Sequence, residues 1–239
     1  MLVSMKKIVV FGASGHAKVV IDIIEKQNKY EIVGIIDSFE LKNSMLYDYE
    51  ILGDEYDLAK IVKEENIHGC IVAIGSNYIR KIIVNRIEEL CPEIVFINAI
   101  HPNAYIGKNV FIGRGNVFMP GVIVNSDSSI SNFCIINTNA SVGHDSILND
   151  FSSISPGVRI GGSINLGYCS GISIGATIIE NISIGDHTII GAGSVVTKNI
   201  PSFVVAYGSP ANVIRKRTEN EKYMFSSKER KMNRLLRKE

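Results

Sequence analysis

An aliphatic or aromatic residue recurs at every sixth position through the C-terminal half of this chain. The period begins at Ile106 and runs without insertion to Val196, which makes sixteen consecutive positions. A helix repeats about every 3.6 residues and a half-buried strand every two, so neither gives a period of six. Self-similarity at a fixed period is typical of a solenoid, and a period of six predicts a parallel β-helix.

Each six-residue unit predicts one short strand and one corner of a triangular prism. The large residue points into the prism, and the residue two places earlier is mostly small, as at Ala140 and Ser146. The residue after the large one is often Gly or Asn, as at Gly143 and Asn149, and we expect it to take the positive φ of the corner. Three units make one coil, so the repeat predicts about five coils and a prism roughly 25 Å tall.

The N-terminal half has the pattern of a small α/β domain. An apolar run over residues 6–11 is followed by a Gly-rich turn at 12–15, a segment of helical periodicity and a second apolar run that ends at Asp37. A later strand ends at Gly75, and a helix over residues 77–90 begins after Ser76 or Asn77 as its cap. We predict a half-Rossmann domain over residues 1–98.

The Gly-rich turn predicts a nucleotide site at the carboxyl ends of the strands. Such a turn directs backbone N–H groups and the positive end of a helix toward a phosphate. The spacing "GASG" is shorter than the dinucleotide pattern G-x-G-x-x-G, so close packing of helix on strand is the alternative. An acid at the end of the second strand binds ribose hydroxyls or a base edge, and His16 is expected to face the sugar. The predicted substrate-binding residues are Gly12, Ser14, Gly15, His16, Asp37, Gly75 and Asn77.

The charge of the chain is divided unevenly. Residues 215–239 carry ten Lys or Arg against four Glu, which leaves 15 basic and 20 acidic residues in positions 1–214. A basic tail can bind nucleic acid or an anionic membrane, but acids are interspersed here. Apolar residues at 223–225 and 235–236 favour a short helix that docks on the protein. We therefore predict a helical tail, with no nucleic-acid partner and no membrane insertion.

Cysteine usage and hydropathy predict a cytoplasmic protein. The four cysteines, Cys70, Cys91, Cys134 and Cys169, have no C-x-x-C spacing and lie among apolar or small residues. This pattern is typical of buried, reduced thiols rather than disulfides or metal ligands. The N-terminus lacks a signal-peptide pattern, and no run of about 18 apolar residues is present.

An ionisable pair, His144 and Asp145, interrupts the small, aliphatic and amide residues of "NASVGHDSIL". Val142 is the inward residue of its unit, so both side chains are expected to project from a corner. A surface histidine alone is unremarkable, but an adjacent carboxylate can hold the ring and stabilise its charged form. The pair is therefore the candidate for proton transfer.

Five segments together resemble the sugar acetyltransferases of the NeuD and PglD type: "FGASGHAKVV", "VGIID", "IHPNAYIG", "GHDSILNDFSSISPGV" and "IGAGSVVTKNIPSFVVAYGSPANVIR". The resemblance covers residues 5 to about 216. It implies a left-handed parallel β-helix over residues 99–214, a homotrimer with sites between subunits, acetyl-CoA as co-substrate and no metal. It also implies that His144 is the catalytic base and Asp145 the acid that supports it. We expect the outward apolar residues Phe111, Val117 and Ile123 to mediate association.

The resemblance also predicts a path for acetyl-CoA along the C-terminal coils. Its acetyl end is expected near His144, its pantetheine arm along the later coils and its adenine near the segment "YGSPANVIR". Where relatives commonly have His before "ISPG", this chain has Ser153, whose hydroxyl can still donate a hydrogen bond. The predicted acetyl-CoA contacts are Ser153, Gly162, Ile174, Ala192, Gly208 and Pro210.

The expected reaction is N-acetylation of a nucleotide-linked amino sugar. An ammonium group must lose a proton before it attacks a thioester, and imidazole is suited to accept it. O-acetylation of a sialic acid or its CMP form is the rival, because a hydroxyl needs the same base. A structural or ice-binding prism is disfavoured by the varied outward residues. A metal hydratase would need three clustered histidines, and the repeat offers only His144 and His187.

Overall fold

The computed structural model describes residues 5–221, which form an N-terminal α/β domain followed by a parallel β-helix. The elements of the first domain are β1 (Lys6–Phe11), α1 (Gly15–Gln27), β2 (Tyr30–Ile36), β3 (Met45–Leu46), β4 (Tyr49–Gly53), α2 (Leu58–Glu65), β5 (Gly69–Val72), α3 (Asn77–Leu90) and β6 (Val95–Phe96). Their order in the sheet is β3-β4-β2-β1-β5-β6, and every pair is parallel except β3 with β4. The predicted half-Rossmann arrangement is confirmed.

The β-helix consists of two-residue strands, and from residue 106 onward the second residue of each strand is the predicted inward position. They are β7 (Ala99–Ile100), β8 (Tyr105–Ile106), β9 (Phe111–Ile112), β10 (Val117–Phe118), β11 (Ile123–Val124), β12 (Ser129–Ile130), β13 (Ile135–Ile136), β14 (Ser141–Val142), β15 (Ile147–Leu148), β16 (Ser153–Ile154), β17 (Arg159–Ile160), β18 (Asn165–Leu166), β19 (Gly171–Ile172), β20 (Thr177–Ile178), β21 (Ser183–Ile184), β22 (Ile189–Ile190) and β23 (Val195–Val196). The longer strands β24 (Val204–Gly208) and β25 (Ala211–Lys216) follow. All sixteen positions of the period are therefore placed correctly.

Three parallel sheets form the faces of the prism. The first face contains β7, β10, β13, β16, β19, β22 and β24, the second β8, β11, β14, β17, β20 and β23, and the third β9, β12, β15, β18 and β21. Neighbouring strands of a face are one coil, or 18 residues, apart in the chain; Ser141, for example, pairs with Arg159. We call the turns that follow the first, second and third faces corners A, B and C. The corners decide which side chains can meet.

The predicted position of the positive φ is wrong by two residues. It falls on the third residue after the inward one, as at Asp127, Asn139 and Asp145, and not on the residue that directly follows. Glycine directly after the strand serves another purpose, because a Cβ at Gly143 would lie 2.3 Å from the carbonyl carbon and oxygen of Gly161. Stacked coils approach each other too closely there for a side chain.

Helix α3 joins the two domains through a buried polar contact at corner C. The Arg80 side chain is only 1% exposed, and its guanidinium donates to the carbonyls of Phe133 (2.9 Å) and Phe151 (3.1 Å). The Asn77 amide donates to the Ser170 carbonyl of the next coil at 3.0 Å. Helix α1 packs on the first face at β7, and one apolar core is continuous across both domains.

The C-terminal boundary differs slightly from the prediction. Strand β25 is antiparallel to β24 and continues to Lys216, so residues 215 and 216 belong to the end of the β-helix. The predicted tail helix lies outside the described residues. Between residues 5 and 221, no helix is both long and apolar enough to cross a bilayer.

Candidate functional site

His144 and Asp145 lie together on corner B of the prism. Val142 is fully buried, whereas the side chains of His144 and Asp145 are 67% and 61% exposed. The predicted outward projection of the pair is therefore present. His144 Nδ1 lies 2.6 Å from Asp145 Oδ2. With the Nδ1 proton shared with the carboxylate, Nε2 carries the basic lone pair.

The imidazole rests on the coil below it. A Cβ at Gly162, one coil further on, would lie 2.7 Å from both Cε1 and Nε2 of His144. The backbone of the pair is fixed to both neighbouring coils, since Asp145 N donates to Ser126 O at 3.2 Å and Ser163 N donates to His144 O at 2.8 Å. The ring thus stands on a rigid scaffold, and the missing side chain of Gly162 makes room for it.

The predicted nucleotide residues converge at the carboxyl edge of the first sheet. The turn that starts at Gly12 follows β1, Asp37 follows β2, and Ile74 and Gly75 follow β5. Gly12 has φ +103°, and a Cβ there would lie 2.9 Å from the Ala73 carbonyl oxygen, so the turn requires glycine. The turn therefore has a structural reason for its glycine whether or not a phosphate binds.

Ser14 and Gly15 form an open, polar N-terminus on α1. Ser14 is the N-cap residue, but its exposed hydroxyl makes no capping hydrogen bond. A Cβ at Gly15 would meet nothing within 4 Å. The end of a 13-residue helix is therefore accessible from solvent at this edge, with hydrogen-bonding groups that suit an anion.

The Asp37 carboxylate organises this edge. Its Oδ2 accepts a hydrogen bond from Ala13 N at 2.8 Å, and its Oδ1 accepts from Phe39 N at 2.8 Å and Glu40 N at 3.0 Å. The carboxylate therefore holds the Gly-rich turn and the loop after β2 together. Its direct contact with ribose or base stays a prediction.

His16 is half-buried and neutral. Burial, assisted by the positive charge of Arg80, lowers the pKa of His16 to about 4. Its Nε2 is buried and has no hydrogen-bond partner. A neutral ring at the start of α1 can meet a substrate hydroxyl without repelling the helix dipole, and its substrate contact stays a prediction.

Asn77 and Gly75 have structural contacts that the sequence did not indicate. Asn77 is 1% exposed and is committed to the β-helix, so it does not border an open cleft. The Gly75 carbonyl accepts from Arg80 at 3.2 Å, and the Ile74 carbonyl does so at 2.9 Å. Sequence reasoning missed Arg80, although positions 77, 80, 84 and 87 form one helical stripe on which two polar residues accompany Val84 and Ile87.

The predicted acetyl-CoA contacts are distributed over different parts of the prism. Gly162 lies beneath His144 on corner B, whereas Ile174 and Ala192 lie on corner A and are exposed. Gly208 and Pro210 form the turn between β24 and β25. The predicted contacts on corners A and B therefore lie on the two sides of the second face, and a role in binding acetyl-CoA stays a prediction.

Ser153 does not lie beside His144 in one chain, so their predicted contact with one acetyl group stays a prediction for an assembly of chains. Ser153 belongs to β16 on the first face, the face opposite corner B. Ser153 comes nine residues after His144 in the chain. Because β14 pairs with β17 at a separation of 18 residues, one coil has 18 residues, and the two side chains lie half a coil apart. Within one chain, Ser153 and His144 therefore lie on opposite sides of the prism.

The remaining chemistry of the described residues is limited. Burial raises the pKa of the Cys134 thiol to about 11 and that of Cys169 to about 11, which disfavours a thiolate nucleophile. Within residues 5–221, no group of three or more His, Cys, Asp or Glu side chains could hold a metal ion. A groove of about 450 Å³ on the third face is lined by Asn149, Asn165 and Ser183 among others, and His144 is not part of it.

Comparison with known proteins gives matches over nearly the whole chain. Residues 7–87 match the family described as the PglD N-terminal domain. The perosamine N-acetyltransferase of Caulobacter crescentus, solved with CoA and GDP-perosamine, is 31% identical, with a TM-score of 0.83 over 89% of this chain and 99% of that chain. The acetyltransferase domain of PglB from Neisseria gonorrhoeae, solved with acetyl coenzyme A, is 31% identical, with a TM-score of 0.81 over 88% of this chain and 100% of that one.

Two further matches are more distant or more partial. WeeI from Acinetobacter baumannii is 27% identical, with a TM-score of 0.78 over 88% of this chain and 100% of that one. The uncharacterized protein L142 of Acanthamoeba polyphaga mimivirus is 34% identical over 125 residues, which are 52% of this chain and only 23% of that protein. The chain thus spans less than a quarter of this curated relative.

Proposed function

Because the chain belongs to the NeuD/PglD-type sugar acetyltransferases, we propose that it transfers the acetyl group of acetyl-CoA to the amine of a nucleotide-linked amino sugar. The observation that carries the proposal is the His144–Asp145 pair on corner B, in a fold shared over 89% of this chain with an enzyme solved with CoA and GDP-perosamine.

His144 is the general base of the proposed reaction. Acetyl-CoA supplies an acyl group that is already activated as a thioester, so no protein nucleophile is needed. His144 Nε2 accepts the proton that the attacking amine loses, and the imidazolium later returns it to the departing sulfur. Asp145 Oδ2, 2.6 Å from Nδ1, orients the ring and stabilises its positive charge between these two transfers.

Backbone and small side chains suit acetyl-CoA near this corner. The absent side chain of Gly162 leaves room beside the imidazole. A Cβ at Gly175 or Gly193 on corner A would have no atom within 4 Å, so this edge is open to the long, flexible pantetheine arm of acetyl-CoA. Ser153 supplies a hydroxyl for the acetyl carbonyl where relatives commonly have an imidazole, and it does so from a neighbouring chain.

We further propose that the active enzyme is a homotrimer with sites between protomers. Tyr105 and Ile123 on the second face, with Phe111 and Ile147 on the third, are 44–63% exposed and flank corner B on both sides. Exposed apolar residues at that position favour burial against another copy. Val117, expected to contribute, is only 1% exposed within its own chain and is therefore not part of this surface.

The location of the nucleotide edge supports the same assembly. Helix α1 contacts β7, at the start of the β-helix, and α3 contacts corner C, so the main contacts of the N-terminal domain lie away from corner B of its own chain. In the proposed trimer, a sugar held by Gly12, Ser14, Gly15, His16 and Asp37 meets the His144 of another protomer rather than that of its own chain. The base and the acceptor site are thus supplied by different chains.

The test compares amine and hydroxyl acceptors. Purified protein is incubated with acetyl-CoA and, in turn, with nucleotide-linked amino sugars of each base, sialic acid and CMP-sialic acid, while release of the CoA thiol is measured. Proton NMR then distinguishes an acetamide from an ester. We expect an acetamide with an amino sugar, and thiol release that is slower by about 10² to 10⁴ with His144→Gln. Ester formation on a sialic acid with no amide product would replace N-acetylation by the rival reaction.

A further inference from the structure

The loop after β2 holds an aromatic side chain out in water. Phe39 is 91% exposed, the largest value for any large hydrophobic residue among positions 5–221. An exposed phenyl ring forfeits the free energy that burial of its apolar surface would give. An exposed ring in this position suggests contact with a ligand or with another protein chain.

The exposure of Phe39 does not result from a loose loop. Asp37 Oδ1 accepts hydrogen bonds from the backbone N–H groups of Phe39 itself, at 2.8 Å, and of Glu40, at 3.0 Å. The Ser38 hydroxyl donates to Glu55, which is 7% exposed and accepts from Arg86 at 2.9 Å. The backbone on both sides of the phenyl ring is therefore fixed.

The anchor also ties the backbone of the loop to the candidate phosphate site. The other oxygen of Asp37 accepts from Ala13 N at 2.8 Å, so one carboxylate joins the loop to the Gly-rich turn. In α/β folds of this kind the diphosphate lies at the helix N-terminus after the first strand, and the ribose lies by the end of the second. The base follows the ribose and lies further from the helix, in the direction of the loop after β2.

We propose that Phe39 stacks on the nucleobase of the nucleotide sugar. The proposal rests on the proposed function, and it assigns the base to a ring face rather than to a hydrogen-bonding pocket. Every base offers a π face, so this contact supplies affinity without choosing among bases. Asp37 is then a positioning residue, since it sets the angle between loop and turn.

The first experiment uses the absence of tryptophan from the chain. Phe39→Trp introduces the single indole of the protein, and its fluorescence is titrated with UDP, GDP, dTDP and CDP. Stacking on a base quenches indole emission, so we expect saturable quenching whose midpoint equals the Kd measured by calorimetry on the same variant. An emission unaffected by a nucleotide that calorimetry shows to bind would overturn the proposal.

The second experiment separates the contribution of the aromatic π face from that of an apolar side chain in general. Phe39→Leu keeps an apolar side chain but removes the π face, and we expect its Kd for the same nucleotide to rise by about 5- to 150-fold, the effect of losing one stacked contact. Phe39→Tyr keeps the ring and should bind like the parent. Leu41→Ala removes another highly exposed apolar side chain from the same loop and serves as the matched control.

The outcomes distinguish this proposal from the function on which it rests. If the parent binds a nucleotide and Phe39→Leu binds it equally well, the stacking is refuted while the proposed function stands. If Phe39→Leu instead lowers the oligomeric mass with unchanged nucleotide affinity, the ring contacts another copy. If none of the four nucleotides binds the parent, the acceptor class of the proposed function and the role of Phe39 are both refuted.

Discussion

Replacing Gly162 by alanine should damage catalysis while leaving the fold intact. The added Cβ would lie 2.7 Å from Cε1 and Nε2 of His144. Carbon atoms in contact are separated by about 3.5–4.0 Å, so the imidazole must move by roughly 1 Å. The backbone of Gly162 is not in the left-handed region, and the Cβ meets the end of a side chain rather than backbone, so alanine is accommodated by the displaced ring alone.

The expected loss follows from the displacement. A misplacement of about 1 Å can lower a rate by about 10²-fold, and loss of a general base altogether lowers it by about 10² to 10⁴. We therefore expect kcat for Gly162→Ala to fall by about 10²-fold, with a change in unfolding free energy of about 0.5 kcal/mol or less. Thiol release under saturation with both substrates measures kcat, and urea denaturation measures stability.

A double-mutant cycle tests the cause. In a His144→Ala background there is no ring to displace, so Gly162→Ala should have no further effect on turnover. Gly143→Ala is the contrasting variant, because its Cβ would lie 2.3 Å from the Gly161 backbone and should lower stability instead. Parental kcat for Gly162→Ala, or an additional loss in the double variant, would refute the reasoning.

Three further predictions concern the base, the assembly and pH. By calorimetry, His144→Gln should bind acetyl-CoA like the parent, and its kcat should fall by about 10² to 10⁴, with a smaller fall for Asp145→Ala. Nearly parental turnover by His144→Gln would exclude proton transfer by this residue. Light scattering should give three times the 26.2 kDa chain mass, and a monomer would contradict sites shared between protomers. The pKa of His16 falls from 6.5 in the unfolded chain to about 4 in the folded one. Between these pH values the unfolded chain binds a proton on His16 that the folded chain does not bind. The free energy of unfolding is therefore retained above pH 6.5 and declines as the pH falls toward 4. His16→Gln should weaken that decline in a series of urea denaturations, and identical slopes for parent and variant would contradict the burial of a neutral ring.

The repeat could be predicted from the sequence because its interior depends on side-chain volume at fixed spacing. Every inward position from Ile106 to Val196 is the second residue of a strand. The conformation of the corners could not be predicted in the same way. A glycine can be required either for a positive φ or for the close approach of two coils, and the sequence alone does not distinguish these two requirements. In the structure, Gly143 permits the close approach of two coils, and Asp145 has the positive φ.

The candidate site was only partly predictable, because the remaining contacts depend on which surfaces meet. His144 and Asp145 are neighbours in the chain, so their pairing follows from local geometry. Asn77 and Arg80 are buried only because corner C presents carbonyl groups to α3. Ser153 lies half a coil from His144, and its distance from the base could have been calculated from the period.

The stacking of coils also limits how a chain of this kind can change in length. Each residue of corner B lies above one that comes 18 positions later, and hydrogen bonds such as those from Asp145 N to Ser126 O and from Ser163 N to His144 O join the stacked corners. A single inserted residue would turn every following inward side chain toward solvent, so tolerated insertions and deletions come in whole coils or as loops that bulge from a corner. A coil added after Val196 would extend the surface without separating His144 from Gly162, whereas one added between them would replace the glycine beneath the ring.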